Sequence, residues 1–394
     1  MGQGAKPTFQ TEVRTALPTK TVYVFGAGFS YGAGFPLQRL ILTKVFSQKF
    51  DILYGESLVR RKELREFIDQ IFYPNALPSL EDLFTLLDQT IAQRRNCFDY
   101  SWKELDSIRD DLKRLILTVF HEASLRSETT GDKFYDSLAS HFVKETIKKR
   151  SRGNRLSVIS LNWDSLLEDS VYKITKKTKN KKQQISTDFC CCILRLKEDC
   201  DGIAIPPVNQ EEKNRIKILK LHGSINWLFC PNCNRMYTGL GANEGRKLYV
   251  QDSFCKHCLG HTVRRKKNKH VLQPYIITPT FEKNFDNIHI RTVWYNAYAE
   301  LATADRVVFV GYSLPEADYH LRTLLRRAIR PSACIDVVLS PKDKPFYARY
   351  AKKRDIAQDG STTKRYYDFF GIARVKTYFG GTKNYFKKYV IGKN

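Results

Sequence analysis

An apolar run such as Val22, Tyr23, Val24 and Phe25 that breaks directly into Gly26, Gly28, Gly32 and Gly34 leaves a chain few options. It predicts a strand buried on both faces and ending in a loop, which points to a layered α/β architecture. Glycine serves two ends at such an exit: it permits positive φ, and it removes the Cβ where a ligand backbone approaches. A helix following the loop would aim its amide groups and positive dipole end at the same place, which suits an anionic pyrophosphate. Gly26-Ala27-Gly28 opens like the dinucleotide fingerprint, yet the next glycine falls one position late and no acid is clearly placed for a ribose. Taken alone, a plain glycine-rich turn explains the stretch equally well.

Two later stretches have the same form. Ser160-Leu161-Asn162-Trp163-Asp164 follows an apolar strand at 156–159, and Lys220-Leu221-His222-Gly223-Ser224 follows another at 216–219. Both place polar residues at the carboxyl end of a strand, where open α/β sheets bind ligands. Further strands are predicted at 189–196, 276–278, 307–310 and 335–339, and helices at 37–50, 165–172 and 319–329. Between 50 and 150 the periodicity is helical, over 58–72, 80–91 with Ser79 as its cap and Asp82 three residues on, 105–120 and 134–147. The lysine-rich run 173–184 reads as a solvated loop.

The expected fold is therefore α/β, a Rossmann-like, mostly parallel sheet with a helical insertion and a small zinc-ribbon module. Residues 1–50, 151–229 and 270–340 would form the sheet domain, 51–150 the insertion, 230–269 the ribbon, and 341–394 a basic aromatic extension. The insertion reads as a lid, an oligomer contact or a partner platform, or as a bundle covering one sheet face.

Cys230-Pro-Asn-Cys233 and Cys255-Lys-His-Cys258 are paired Cys-x-x-Cys knuckles, each offering two thiolates to one ion. Four ligands leave no open position, so a zinc ion here would be structural. The intervening 236–237 and 248–250 read as short ribbon strands, and His257 and His261 stand close enough to replace a cysteine where four thiolates already suffice. Cys190, Cys191 and Cys192 are adjacent, would alternate across a strand, and read as small buried hydrophobes.

The 394 residues carry a formal charge of +25, which favours anionic partners without choosing among nucleic acid, acidic protein and dinucleotide. No aromatic-interleaved RNA signature or recognition-helix motif lifts nucleic acid above the others. Residues 1–18 lack an apolar core of signal-peptide length, no later run is long enough to cross a bilayer, and Lys6 occupies the place where a myristoylation signal wants Ser or Thr. The expectation is a cytoplasmic protein with no membrane partner, whose cysteines bind metal or are buried.

In order, the glycine-rich loop, the Asn-x-Asp motif, the His-Gly pair, the paired cysteines and Gly311-Tyr312-Ser313 make the chain resemble the sirtuin-like family, and within it the bacterial antiphage-defence-type NAD-consuming branch. The likeness covers 21–39, 156–168, 216–260 and 305–318, leaving out the helical insertion and the tail. It implies that Gly26, Ala27, Gly28 and Ser30 hold the NAD phosphates, that Arg39 lies near the nicotinamide side, and that Gly311 and Ser313 contact the adenosine half. Asn162 and Asp164 would face the nicotinamide ribose and amide, and His222 would be the catalytic histidine. Without that resemblance His222 reads as a core histidine, and Asn162 and Asp164 as caps of the helix at 165–172. The resemblance further implies NAD as substrate, structural zinc, self-assembly into a homo-oligomer, and room for an activating partner such as a hexameric ATPase encoded nearby.

Two departures separate the chain from the family's deacylases. Leu37 and Gln38 precede Arg39 where those enzymes carry Asp and Phe, and the strand that would clasp an acyl-peptide runs into Thr278-Pro279-Thr280. The leading expectation is thus an NAD glycohydrolase that yields ADP-ribose and nicotinamide. A protein-lysine deacylase, a non-catalytic binder of NAD or ADP-ribose, and a zinc-stapled nucleic-acid-binding protein are the competing readings.

Overall fold

Among the described residues eleven strands appear in chain order: β1 (Thr21–Phe25), β2 (Leu156–Ser160), β3 (Ser186–Asp188), β4 (Ile193–Arg195), β5 (Arg215–Lys220), β6 (Gly223–Phe229), β7 (Met236–Thr238), β8 (Gln273–Ile276), β9 (Arg306–Val310), β10 (Cys334–Val338) and β11 (Val375–Tyr378). They belong to a computed structural model that describes residues 20–47, 55–72, 76–130, 133–148, 155–177, 185–195, 215–239, 254–255, 257–258, 272–280, 285–343 and 361–393. Seven form one sheet in the order β11-β10-β9-β1-β2-β5-β3, with every pairing parallel. The order runs outward from β1 through β2 to β5 on one side and from β9 through β10 to β11 on the other. The change of direction therefore lies between β1 and β9, the place where open α/β sheets leave a crevice at their carboxyl ends.

Eleven α-helices accompany the strands among the described residues: α1 (Ala27–Tyr31), α2 (Ile41–Val45), α3 (Gly55–Ile71), α4 (Leu80–Ala92), α5 (Trp102–Thr129), α6 (Phe134–Lys148), α7 (Leu166–Lys177), α8 (Ile288–Ala302), α9 (Tyr319–Ala328), α10 (Thr362–Phe370) and α11 (Gly381–Tyr389). The period of two along β1 divides the core. Tyr23 and Phe25 join Val158, Ile216 and Val310 under helices α4, α5 and α6, whereas Val22 and Val24 join Ile159, Leu219 and Phe309 under α8, α9 and α10. Both faces are covered, which is why these strands read as continuous apolar runs. The helical insertion is the cover of the first face, and its caps are those its sequence offers: Ser79 accepts from the Asp82 amide, and Ser101 with Glu104 closes a capping box on α5.

Several expectations change on contact with the structure. The helix expected over 37–50 is a 3-10 turn, Gln38–Leu40, followed by the five residues of α2, with 48–50 outside the described residues. Helix α7 continues through Lys177, into what reads as a loop, because its last-turn lysines suit the negative end of the helix dipole. The cysteine run is not a strand. Cys190 has φ 55°, and its amide donates to Asp188 Oδ1 at 2.8 Å, an Asx turn that delays β4 until Ile193. Strand β6, directly after His222, leaves the large sheet for a small one ordered β4-β7-β6-β8, in which β6 runs antiparallel to β7 and β8. The segment 248–250 lies outside the described residues.

The basic aromatic tail is built into the large sheet. It supplies the edge strand β11, and Phe386 of α11 is fully buried with ring centroids 5.7 Å from Tyr23 and 6.2 Å from Phe25. Phe386→Ala is expected to lower unfolding free energy by about 3–5 kcal/mol through cavity formation. Chemical denaturation followed by circular dichroism checks this, and a loss below about 1 kcal/mol would mean that the tail is dispensable.

Candidate functional site

The parallel register brings four strand ends together. Phe25 lies opposite Ser160 on one side and Val310 on the other, and Ser160 lies opposite Lys220. Their following loops, which carry Gly26, Asn162, His222 and Gly311, consequently emerge side by side.

Packing explains the glycines more fully than ligand approach does. The Gly26 amide donates to Val310 O at 3.0 Å and the Gly28 amide to Gly311 O at 2.8 Å. A Cβ on Gly26 would lie 2.6 Å from Tyr312 Cα, and one on Gly311, at φ 66°, would lie 2.2 Å from the Phe29 nitrogen. The two loops thus touch backbone to backbone. Positive φ, one of the two reasons for glycine in this turn, occurs there only at Gly34 (φ 93°). Ala27 opens α1, but that helix spans five residues and the Gly28 amide is already spent on Gly311, so the dipole argument for a phosphate finds little support here.

Ser30 is buried beneath the loop. Its hydroxyl accepts from Asn162 Nδ2 at 3.1 Å. Asn162 Nδ2 also donates to Gly26 O at 3.0 Å. A backbone carbonyl can only accept, so this bond fixes which way the amide faces, with Nδ2 toward Gly26 and Oδ1 away from it. Asp164 caps α7, accepting from the Leu166 amide at 3.2 Å, and burial pushes its carboxyl up from the ordinary range while Lys220 opposes the shift.

His222 Nδ1 lies 3.2 Å from Leu161 O. The carbonyl must be the acceptor, so Nδ1 carries the proton and Nε2 is the basic nitrogen of the neutral ring. Trp294 flanks the imidazole at 6.4 Å between centroids and is itself held by a bond from its Nε1 to Leu221 O at 2.9 Å.

The structure thus joins Gly26, Gly28, Ser30, Asn162 and Gly311 by direct contact, with Asp164 two residues from Asn162 and His222 one bond away through Leu161. Arg39 stands exposed in its 3-10 turn, and Ser313 is exposed with its carbonyl accepting from Arg365 Nε at 2.8 Å. The sequence assigns no role to Glu168 and names Lys220 only as the start of the polar stretch after 216–219, although a lysine flanked by Ile218, Leu219 and Leu221 is a visible signal. Lys220 Nζ is 2.7 Å from Glu168 Oε1 and donates to Asp164 O, and both side chains are almost wholly buried.

The cysteine knuckles converge elsewhere, at the end of β6. All four sulfurs of Cys230, Cys233, Cys255 and Cys258 lie within 4.8 Å of one another, with 3.7 Å from Cys230 to Cys258 and 3.6 Å from Cys233 to Cys255. Tetrahedral zinc with bonds of about 2.3 Å sets sulfurs ~3.8 Å apart, so the cluster fits that ion. Leu194, Leu228, Tyr237 and Leu272 enclose it. His257 is not among the clustered ligands, and His261 lies outside the described residues.

No family model matches the chain, and no curated protein matches it. Among solved structures it is similar to a sirtuin studied for substrate affinity, at 16% identity over 82% of this chain and 83% of that one with a TM-score of 0.33. A Sir2 homologue bound to NAD gives 14% identity over 82% and 79%, TM-score 0.36, and a mutant Sir2 homologue bound to 2′-O-acetyl ADP ribose gives 15% over 82% and 81%, TM-score 0.36. Likenesses of this size decide neither fold nor activity.

Two outcomes are expected from this geometry. Freshly purified protein should contain one zinc per chain, and Cys233→Ser should lower metal content and melting temperature together; metal analysis that finds no zinc rejects the site. Gly311→Ala should destabilise the chain by ~1–3 kcal/mol or more because the new methyl meets the Phe29 backbone, and a thermal melt unchanged from wild type would show that the loops part easily.

Proposed function

We propose that the chain binds NAD across the carboxyl ends of β1, β2, β5 and β9 and hydrolyses it to ADP-ribose and nicotinamide. One observation carries this reading. Asn162 and His222 stand on adjacent parallel strand ends, and each is oriented by a backbone carbonyl, Gly26 O or Leu161 O, so that its acceptor atom is turned away from that carbonyl. Cleavage of the nicotinamide–ribose bond passes through an oxocarbenium-like state, which needs an oriented sugar, excluded bulk water and a base near a hydroxyl or one chosen water. Asn162 Oδ1 suits the orienting task because it accepts without titrating. His222 Nε2 suits the base, since an imidazole titrates near neutrality. The ordered motifs shared with sirtuins support NAD as the ligand, with the loops bearing Gly26 to Ser30, Arg39, Gly311 and Ser313 lining its path.

Water is the proposed acceptor because the segment after β8 is already engaged. The Ile277 amide donates to His222 O at 2.9 Å, its carbonyl accepts from Trp163 Nε1 at 3.2 Å, and the Thr280 amide donates to Thr278 O at 2.9 Å. Thr278 is further tied to Asp88 of the helical insertion at 3.1 Å, and Pro279 has no N–H. An extended acyl-peptide would find few backbone groups left to pair with. Depletion of NAD by such an enzyme would fit the defence role that the sequence resemblance implies, with self-assembly and an activating partner as its proposed controls.

The test is nicotinamide release from NAD by purified protein, with and without an acetyl-lysine peptide. Asn162→Ala and His222→Ala should each lower turnover by roughly 10²–10⁴-fold while retaining the native circular dichroism spectrum. Release seen only with the peptide, matched by deacylated product, would replace hydrolysis with deacylation. Binding without release would leave a module that holds the dinucleotide.

A further inference from the structure

The ion pair of Lys220 and Glu168 lies directly under the candidate site and has no part in the chemistry described above. Lys220 is 0% exposed at the end of β5, and Glu168 is 2% exposed in the first turn of α7. Burying two charges gains little stability over a well-packed apolar pair of similar volume, so shape alone does not account for them. The ammonium pairs with Glu168 at 2.7 Å and donates a hydrogen bond to the main-chain carbonyl of Asp164, so it grips the loop itself and not only the helix behind it. Asp164 lies two residues from Asn162 in the same loop, and Asn162 Nδ2 donates to Ser30 Oγ at 3.1 Å and to Gly26 O at 3.0 Å.

We propose that Lys220 and Glu168 are positioning residues, a buried clamp that fixes the 162–164 loop and thereby the orientation of the Asn162 amide. The proposal rests on the NAD-hydrolysing reading for its catalytic consequence, but the clamp itself is a property of the loop. Neither side chain touches the crevice directly. The glycine-rich turn is bonded to Asn162 at one end of the 162–164 loop, and Lys220 holds the other end at Asp164. Loss of the ammonium frees the Asp164 carbonyl and leaves Glu168 as an unpaired buried acid, whereas loss of both charges together removes the clamp without leaving an orphan.

The decisive variant is therefore Lys220→Met combined with Glu168→Leu in the full chain, compared with Glu168→Gln, Lys220→Arg and wild type. Three readouts are taken: thermal melting, hydrogen–deuterium exchange over 160–165, and steady-state nicotinamide release. The double variant should melt near wild type yet lose amide protection in that loop, with kcat lower by roughly a hundredfold and KM changed by less than about threefold. Lys220→Arg, which keeps charge and donors, should restore part of the protection and part of kcat. Wild-type exchange and turnover in the double variant, or turnover that simply follows melting temperature across the set, would overturn the proposal. If the double variant fails to fold, Glu168→Gln carries the same comparison. If wild type releases no nicotinamide, the activity reading falls and loop exchange alone decides the clamp.

Discussion

Everything distinctive in this protein depends on a parallel ladder held in register across its centre. Strands β9, β1, β2 and β5 end level, with Phe25 paired to both Ser160 and Val310 and Ser160 to Lys220. Parallel pairing demands crossovers, and crossovers cover both faces, so polar loops can gather only at the strand ends. The candidate site follows from that constraint. Its asparagine, aspartate and histidine come from widely separated stretches, yet the sheet delivers them as neighbours.

Within that frame, backbone carbonyls set the chemistry. Gly26 O orients the amide of Asn162 and Leu161 O selects the tautomer of His222, so both catalytic candidates are aimed by groups that every sequence possesses. The side-chain contribution lies one layer deeper, where Ser30 accepts from Asn162 and the buried Lys220 pairs with Glu168 and holds the Asp164 carbonyl. Burial raises the carboxyls of both Asp164 and Glu168, with the Lys220 charge opposing the shift in each case.

Much of this was legible in the residues. Apolar runs announced the central strands, Ser79 announced the start of α4, and two Cys-x-x-Cys pairs announced the sulfur cluster, because each signal is local and has one physical cause. What could not be read required a partner distant in sequence. Gly28 is small for the sake of Gly311, Lys220 is tolerated for the sake of Glu168, and neither reason exists until the sheet has formed. Strand β6 was hidden for a related reason: its apolar pattern fits either sheet, and only its antiparallel neighbours β7 and β8 assign it. The cysteine run failed differently, since an aspartate two residues upstream of Cys190 diverts the backbone into a turn that composition does not reveal.

The position of Phe386 bears on when such a protein can become whole. Its ring lies against Tyr23, Phe25 and Phe29, so the first strand of the chain and its last long helix close the same core. Contacts between such distant segments form late, after loop-closure entropy has been met by everything in between. On a ribosome adding ~5–20 residues per second, the glycine-rich turn waits many seconds for the residue that packs behind it. A nascent chain halted after the sulfur cluster still lacks β9, β10, β11 and this aromatic plug. Such a halted chain therefore lacks the crevice, and the candidate site is whole only in molecules whose synthesis has passed Phe386.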